Sequence, residues 1–351
     1  MKFIRKKIIQ TGIFCTTLFY LSACQKDFSI NADCENFPIV YALFNIDEQD
    51  SMQYIKIYKS YLTDNVYEGA KQLSLYSYMD SIEVSVEEYN KKDILLRTIT
   101  FDTTTSIPKD SGIFSYPTQI LYAAPLKCNK DYTYKVKVFN PYTKILVEGT
   151  TNVPGVISIS QPHHGLIRPT FVSITDNNFD VAFKTTDNAV AYQIVAKYYY
   201  AEIYKDGSVI HCQPITWNIG TATTTEAQVL HKMSVSTGSG FFRAIANGVE
   251  DNENVIRRYT DSIVFEIQAA AIDWYNYLLA TKPISTINQE RIAYTNIKAY
   301  NIESNEEAYA IGFVSARSVS RLTFDDLLKP GSRDSLFNGR FTGHLKFSDI
   351  H

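Results

Sequence analysis

The sequence predicts a mainly β protein of two β-rich domains, the first an antiparallel sandwich, and three observations carry that reading. Between residues 37 and 153, seven short stretches carry apolar or period-two patterning and are separated by polar turns. Tyrosine is abundant, 25 residues against 2 Trp, and its ring favours the faces and edges of sheets. Pro154-Gly155 then punctuates the chain at the end of the first domain.

Taken in order, 38–44 is a continuous apolar run. The stretch 52–62 alternates, with Tyr54, Lys56 and Tyr58 on one face and Ile55, Ile57 and Lys59 on the other. Stretch 81–89 alternates through Ile82, Val84 and Val86, and 94–101, 119–123, 132–139 and 144–151 complete the seven strands. The second domain, 156–351, is also led by strands, at 179–184, 190–204, 208–219 and 228–236, with a hairpin turn at Lys205-Asp206-Gly207. A short helix is expected at 239–248 and a strand at 255–268. A second helix follows near 269–281, where Ile272, Tyr275, Leu278 and Leu279 form one apolar stripe. The last clear strand is 308–315, and the polar tail with Pro330-Gly331 reads as loop.

The N-terminus has its own signature. Lys2, Arg5, Lys6 and Lys7 precede an apolar stretch over 8–21, and its 14 residues are too few for a membrane span, which takes roughly 20. That pattern is a secretory signal, placed at residues 1–23. Its end, Leu21-Ser22-Ala23-Cys24, resembles the bacterial lipobox. The resemblance implies cleavage between Ala23 and Cys24, a diacylglycerol on the Cys24 sulfur and usually a third acyl chain on its amino group. Two or three chains anchor a protein stably where one does not. Residues 24–36 then form a lipidated linker, and Gln25-Lys26-Asp27 resembles the charged tag that sends Bacteroidota lipoproteins to the outer face of the outer membrane. The alternative is a solvated linker with incidental charges.

Without the signal, 328 residues remain, with 30 Lys+Arg against 37 Asp+Glu, net −7. That sign argues against a general nucleic-acid binder. Cys34, Cys128 and Cys212 remain in the body of the chain without a CxxC or Cys/His cluster, which argues against a zinc site. Cys34 and Cys128 fall in one predicted domain and either pair, as an exported protein permits, or stay as separate thiols. The segment from Leu126 to Tyr132, followed by Tyr134, Val136 and Val138, resembles the turn-into-strand signature of fibronectin type III sandwiches. It implies an immunoglobulin/fibronectin-III-like first domain with Tyr132 as the tyrosine corner, its hydroxyl bonded back to the preceding turn.

The motifs of catalysis are missing: the sequence has no Gly-rich phosphate loop, no HExxH and no Gly-x-Ser-x-Gly. His163-His164 would need a third metal ligand such as His211 or Cys212. Glu87-Glu88 and Asp325-Asp326 are adjacent in sequence rather than spaced across a cleft, and Asp47-Glu48-Gln49-Asp50 lacks the spacing of a calcium loop. The aromatic clusters, Tyr198-Tyr199-Tyr200 with Tyr204 and Trp274 with Tyr275 and Tyr277, suit core and sheet surface or a binding face. No catalytic residue, metal site or cofactor is assigned, and the expectation is a protein that is not an enzyme.

The strands Pro38-Ile39-Val40-Tyr41-Ala42-Leu43 and Gln53-Tyr54-Ile55-Lys56-Ile57 resemble a family of two-domain, β-rich Bacteroidota lipoproteins without an assigned activity. So do the segments Phe265 to Leu278, Tyr294 to Ile297 and Ala310 to Ser315. Such proteins are often encoded beside TonB-dependent receptors. The resemblance implies a lipid-anchored outer-membrane protein facing the cell surface, acting as a non-enzymatic binding or accessory module. Its partner would be a TonB-dependent receptor, a glycan or another envelope protein. The alternatives are a fimbrillin-like structural or adhesive subunit and a hydrolase on a β scaffold. Strand donation in the first would need an early trypsin-like cleavage, and no Arg lies between Cys24 and Arg97.

Overall fold

The computed structural model describes residues 36–46, 51–63, 65–79, 82–109, 118–162, 179–235, 239–282, 294–324 and 330–349. The first part of the chain supplies β1 (Pro38–Ile46), β2 (Met52–Lys59), the short helices α1 (Val66–Gly69) and α2 (Leu73–Tyr76), β3 (Glu83–Tyr89) and β4 (Leu95–Thr100). It continues with β5 (Asp102–Thr104), β6 (Leu121–Pro125), β7 (Thr133–Asn140) and β8 (Ile145–Asn152). After the Pro154-Gly155 connector come β9 (Ser158–Gln161), β10 (Phe179–Lys184), β11 (Ala191–Tyr204), β12 (Val209–His211), β13 (Ile215–Thr223) and β14 (Leu230–Val235). Then follow α3 (Ser239–Gly248), β15 (Val255–Ala270), α4 (Ile272–Ala280), β16 (Lys298–Asn301), β17 (Glu307–Ala308), β18 (Ile311–Phe324) and α5 (Pro330–Phe337).

The protein is mainly β, as expected, and among the described residues the strands form three sheets. Nine strands make the largest, in the order β12-β11-β15-β18-β1-β2-β6-β5 with β13 also on β11. A six-stranded sheet, β17-β16-β8-β7-β3-β4, covers one half of it. The first core lies between these two, where Val40, Phe44, Ile55 and Ile57 meet Val84, Val86, Val136 and Val147. A three-stranded sheet, β14-β10-β9, covers the other half together with α3. In this second core Val181, Phe183, Phe241 and Phe242 meet Tyr192, Ile194, Phe265 and Ile267. Period-two alternation explains the first core, since every second residue of β1, β2, β3 and β7 is buried.

β18 belongs to both sandwiches. Its first residues run parallel to β1, from Ile39 opposite Ile311 to Ile46 opposite Ser318. Its last residues run antiparallel to β15, from Ala270 opposite Arg317 to Ile263 opposite Phe324. Val314 and Ala316 enter the first core, and Phe324 enters the second from the same side of the strand. Between them, Ser318 Oγ donates to Gly155 O at 2.8 Å and Ser320 Oγ accepts from Ile157 N–H at 3.0 Å. The connector therefore crosses the shared sheet where one core gives way to the other. It separates the cores only in part, because Ile297, Ala299, Val314 and Ala316 follow it in sequence yet pack in the first core.

Local departures from the expected elements have simple causes. The stretch 208–219 is two strands, broken before Ile215 at Pro214. Pro330 opens α5 instead of a loop, a position where proline is preorganised. The predicted helix near 269–281 begins at Ile272, because Ala269 and Ala270 still pair with β11.

The C-terminal segment is held by a fully buried arginine. Arg258, on β15, is 0 % exposed. Its Nε donates to Glu202 Oε1, and its two terminal nitrogens donate to Leu345 O and Glu250 O, each at 2.8 Å. A buried ion with one partner removed is far costlier than an apolar replacement of both. Arg258→Ala is thus expected to lower unfolding free energy by about 3–5 kcal/mol, whereas Arg258→Met with Glu202→Leu loses much less; urea unfolding of the three proteins measures the contrast.

Candidate functional site

A crevice of about 700 Å³ lies where the first sandwich meets the connector. The end of β1 (Asn45, Ile46), Gln53 on β2, Glu88 and Arg97 on the β3–β4 hairpin, the loop from Leu126 to Lys130, and Gly155-Val156 line it.

Period-two geometry puts a polar group at the inward end of β2 and of β3. Gln53 is on the same face as Ile55 and Ile57 and is buried. Its side chain accepts from Asn45 N–H at 2.8 Å and donates to Asn45 O at 2.9 Å and Leu126 O at 3.3 Å, so it ties the mouth of β1 to the β6–β7 loop. Glu88 follows Val84 and Val86 on the inward face of β3, and the Arg97 Nε–H binds its carboxylate. That bond holds the guanidinium above its ordinary pKa. Tyr134 O–H donates to Glu88 Oε1 at 3.3 Å and accepts from Asn129 N–H at 2.7 Å. Glu87, one residue earlier, points to the opposite face. There Lys137 and Tyr89 bind it at 2.6 Å, and against the upward push of burial these bonds hold its carboxyl below the usual range.

The tyrosine corner predicted at Tyr132 is formed by Tyr134 instead. Tyr132 precedes β7 and only flanks the core, whereas Tyr134 is on the inward face of the strand, fully buried, with its hydroxyl on the preceding turn. The turn-into-strand signature fits either tyrosine, because residues two apart share a face of the strand.

Of the possible Cys34–Cys128 pair, only Cys128 lies within the described residues. Cys128 carries a free thiol, which burial pushes up to about 12. It lies beside Asn45 and Ile46, at the opposite end of β1 from Pro38. Cys34 itself lies outside the described residues, as do Ala23, Cys24 and Gln25-Lys26-Asp27.

The other sequence candidates disperse. His163-His164, Asp325-Asp326 and Asp47 to Asp50 lie outside the described residues. His211 Nδ1 is 2.8 Å from Asp261 Oδ2 on an exposed edge, and the neighbouring Cys212 packs against the second core. No group of three or more His, Cys, Asp or Glu suited to a metal occurs among the described residues. Tyr198 and Tyr200 are core residues stacked at 6.0 Å, Tyr199 faces the other side of the sheet, and Tyr204 O–H donates to Glu202. Trp274 and Tyr277 stack at 5.6 Å on the outer face of the nine-stranded sheet, against Phe313 and, through Tyr277, Tyr41. They form a half-buried aromatic ledge, with Ile272, Leu278 and Leu279 of the same helix exposed.

No family model and no curated protein matches the chain. Among solved structures it is similar to the C-terminal globular domain of an oligosaccharyltransferase from Pyrococcus abyssi, at 10 % identity and a TM-score of 0.21, covering 64 % of this chain and 42 % of that one. Trypsin-activated α-2-macroglobulin from Escherichia coli gives 6 % identity and a TM-score of 0.18, covering 68 % and 15 %. The same protein activated by porcine elastase gives 6 % and 0.18, covering 68 % and 18 %. The chain thus spans less than half the length of each of these structures.

Loss of the corner hydroxyl leaves the Asn129 N–H without its partner, so Tyr134→Phe is expected to cost about 1–3 kcal/mol. Tyr132→Phe should stay within about 0.5 kcal/mol of the parent; equilibrium denaturation of both variants decides which tyrosine closes the corner.

Proposed function

We propose that the protein is a lipid-anchored lipoprotein of the outer membrane, facing the cell surface and acting as a non-enzymatic binding or accessory module. The anchor is the acylated Cys24, with Gln25-Lys26-Asp27 directing export. The partner is a TonB-dependent receptor or another envelope protein, or a glycan. The crevice supports the binding role, because its Glu88–Arg97 pair, backed by the buried Tyr134 hydroxyl, is held in place before any ligand arrives. Crevices at domain junctions with a few convergent polar groups are favoured ligand sites. Arg97 remains half-exposed beside this cluster, with guanidinium donors directed by the bond to Glu88, and Lys127 adds a cation at the rim.

The test uses the intact tagged lipoprotein extracted from outer membranes. Cys24→Ala should abolish palmitate labelling and release the protein from the membrane fraction or leave it uncleaved. Lys127→Glu with Val156→Glu, two exposed rim positions, should leave folding and labelling unchanged but reduce a co-purifying partner at least about tenfold, the effect of burying unpaired charge at an interface. Continued labelling of Cys24→Ala overturns the anchor. A wild-type protein that captures nothing yet cleaves members of a glycan panel overturns the binding role.

A further inference from the structure

We infer that the tether end of the first sandwich is a membrane-contacting surface, seated on the lipid headgroups by its own loop tips. The inference rests on the acylation of Cys24 proposed above. Asn36, the first described residue, leads into β1 at Pro38. Strand directions collect several connections at this same end. Pro38 pairs with Lys59, so the segment after β2 starts here. Asn140 and Ile145, which pair across the β7–β8 turn, line one cavity with Asn36, Pro38 and Lys59, which places that turn here. Asn301 in turn pairs with Ile145, which adds the turn after β16, and Ile39 opposite Ile311 brings in the chain just before β18.

These connections project apolar side chains into solvent. Tyr142 is 80 % exposed, Tyr309 65 %, Leu62 50 % and Ile302 47 %, and each comes from a different connection. Tyr309 also packs edge-on against Phe37, one residue after Asn36, so this apolar surface continues to the point of chain entry. Apolar side chains gathered at one end from four separate connections are not needed by the core beneath them. Two of the four are tyrosines, the residue type that, with tryptophan, settles at the membrane–water boundary.

The tether settles which surface covers this end. Eleven residues lie between Cys24 and Asn36, and even fully extended the chain from one to the other spans no more than about 43 Å. An acylated Cys24 therefore keeps this end close to the bilayer at high effective concentration. Charge does not supply the attraction, because Glu303, Glu306 and Glu307 lie among the same loops beside Lys59 and Lys144. The contact is the apolar insertion of loop tips, suited to a zwitterionic headgroup layer. The exposed Ile94, Leu95 and Leu96 start the strand opposite Tyr89, at the far end of β3 from Glu83 and away from the tether.

The test is depth-dependent quenching in the full lipidated protein. It is reconstituted in zwitterionic phosphatidylethanolamine–phosphatidylcholine vesicles with brominated acyl chains, and the added emission of Tyr142→Trp is compared with that of Leu96→Trp. Insertion predicts at least about twofold stronger quenching at position 142 than at 96, as an interfacial aromatic side chain requires. Flotation of the protein with vesicles but no quenching at 142 overturns this inference alone and leaves the end to a protein partner. Equal quenching at both positions overturns it as well. Failure of the wild-type protein to float overturns the anchor and, with it, this inference.

Discussion

The pairing of β18 with β1 on one edge and β15 on the other is the interaction on which both sandwiches depend. A nine-stranded sheet is too wide for one core, and here two smaller sheets divide it. The division falls on the strand itself, at Ser318 and Ser320, whose hydroxyls bind the connector instead of entering either core. Two glycines permit the close approach. A Cβ on Gly312, whose φ is +128°, would lie 1.9 Å from Val40 O, so the parallel ladder to β1 admits no other residue without a shift. A Cβ on Gly149 would lie 2.5 Å from the Val314 side chain, which packs β8 directly over β18.

The same strand positions the crevice. Because Gly155 is bound to β18, the connector is fixed against the end of the first sandwich, and its next residue becomes one wall of the opening. Asn188 adds a second tie, donating to Lys130 O and Val153 O at 3.0 Å each. The Glu88–Arg97 pair thus faces a wall whose position is set by the other sandwich, and a ligand there meets a surface that is already ordered. The crevice and the tether end lie at opposite ends of β1, so a protein seated on its tether end would turn the crevice away from the bilayer.

Much of the architecture was legible because burial imposes a period of two. The faces of 52–62, the alternation through Val84 and Val86 and the hairpin at Lys205-Asp206-Gly207 all follow from local pattern. Gln53 was within reach of the same reasoning, since it is in phase with Ile55 and Ile57, and an inward glutamine needs partners. Tyr134 against Tyr132 was harder, because residues two apart share a face and only the turn geometry chooses between them. The dual role of β18 was not legible at all. Parallel pairing of the first strand with the last joins residues some 270 positions apart, and no local period encodes such a partner. The site was legible residue by residue, Glu88 and Cys128 among them, but their convergence depends on that long-range pairing.

If β18 couples the two cores, they should unfold together, and the two tryptophans report on them separately. Trp217 packs against Phe241 in the second sandwich, and Trp274 rests on Phe313 of β18 beside β1. Urea unfolding of Trp274→Phe follows the second core, and that of Trp217→Phe follows the β1–β18 junction, with circular dichroism correcting each variant for its own stability. With the cores so coupled, fluorescence and circular dichroism midpoints coincide within each variant, as a single cooperative unit requires. A tryptophan signal that is lost while most of the β-sheet dichroism remains, in either variant, would contradict it.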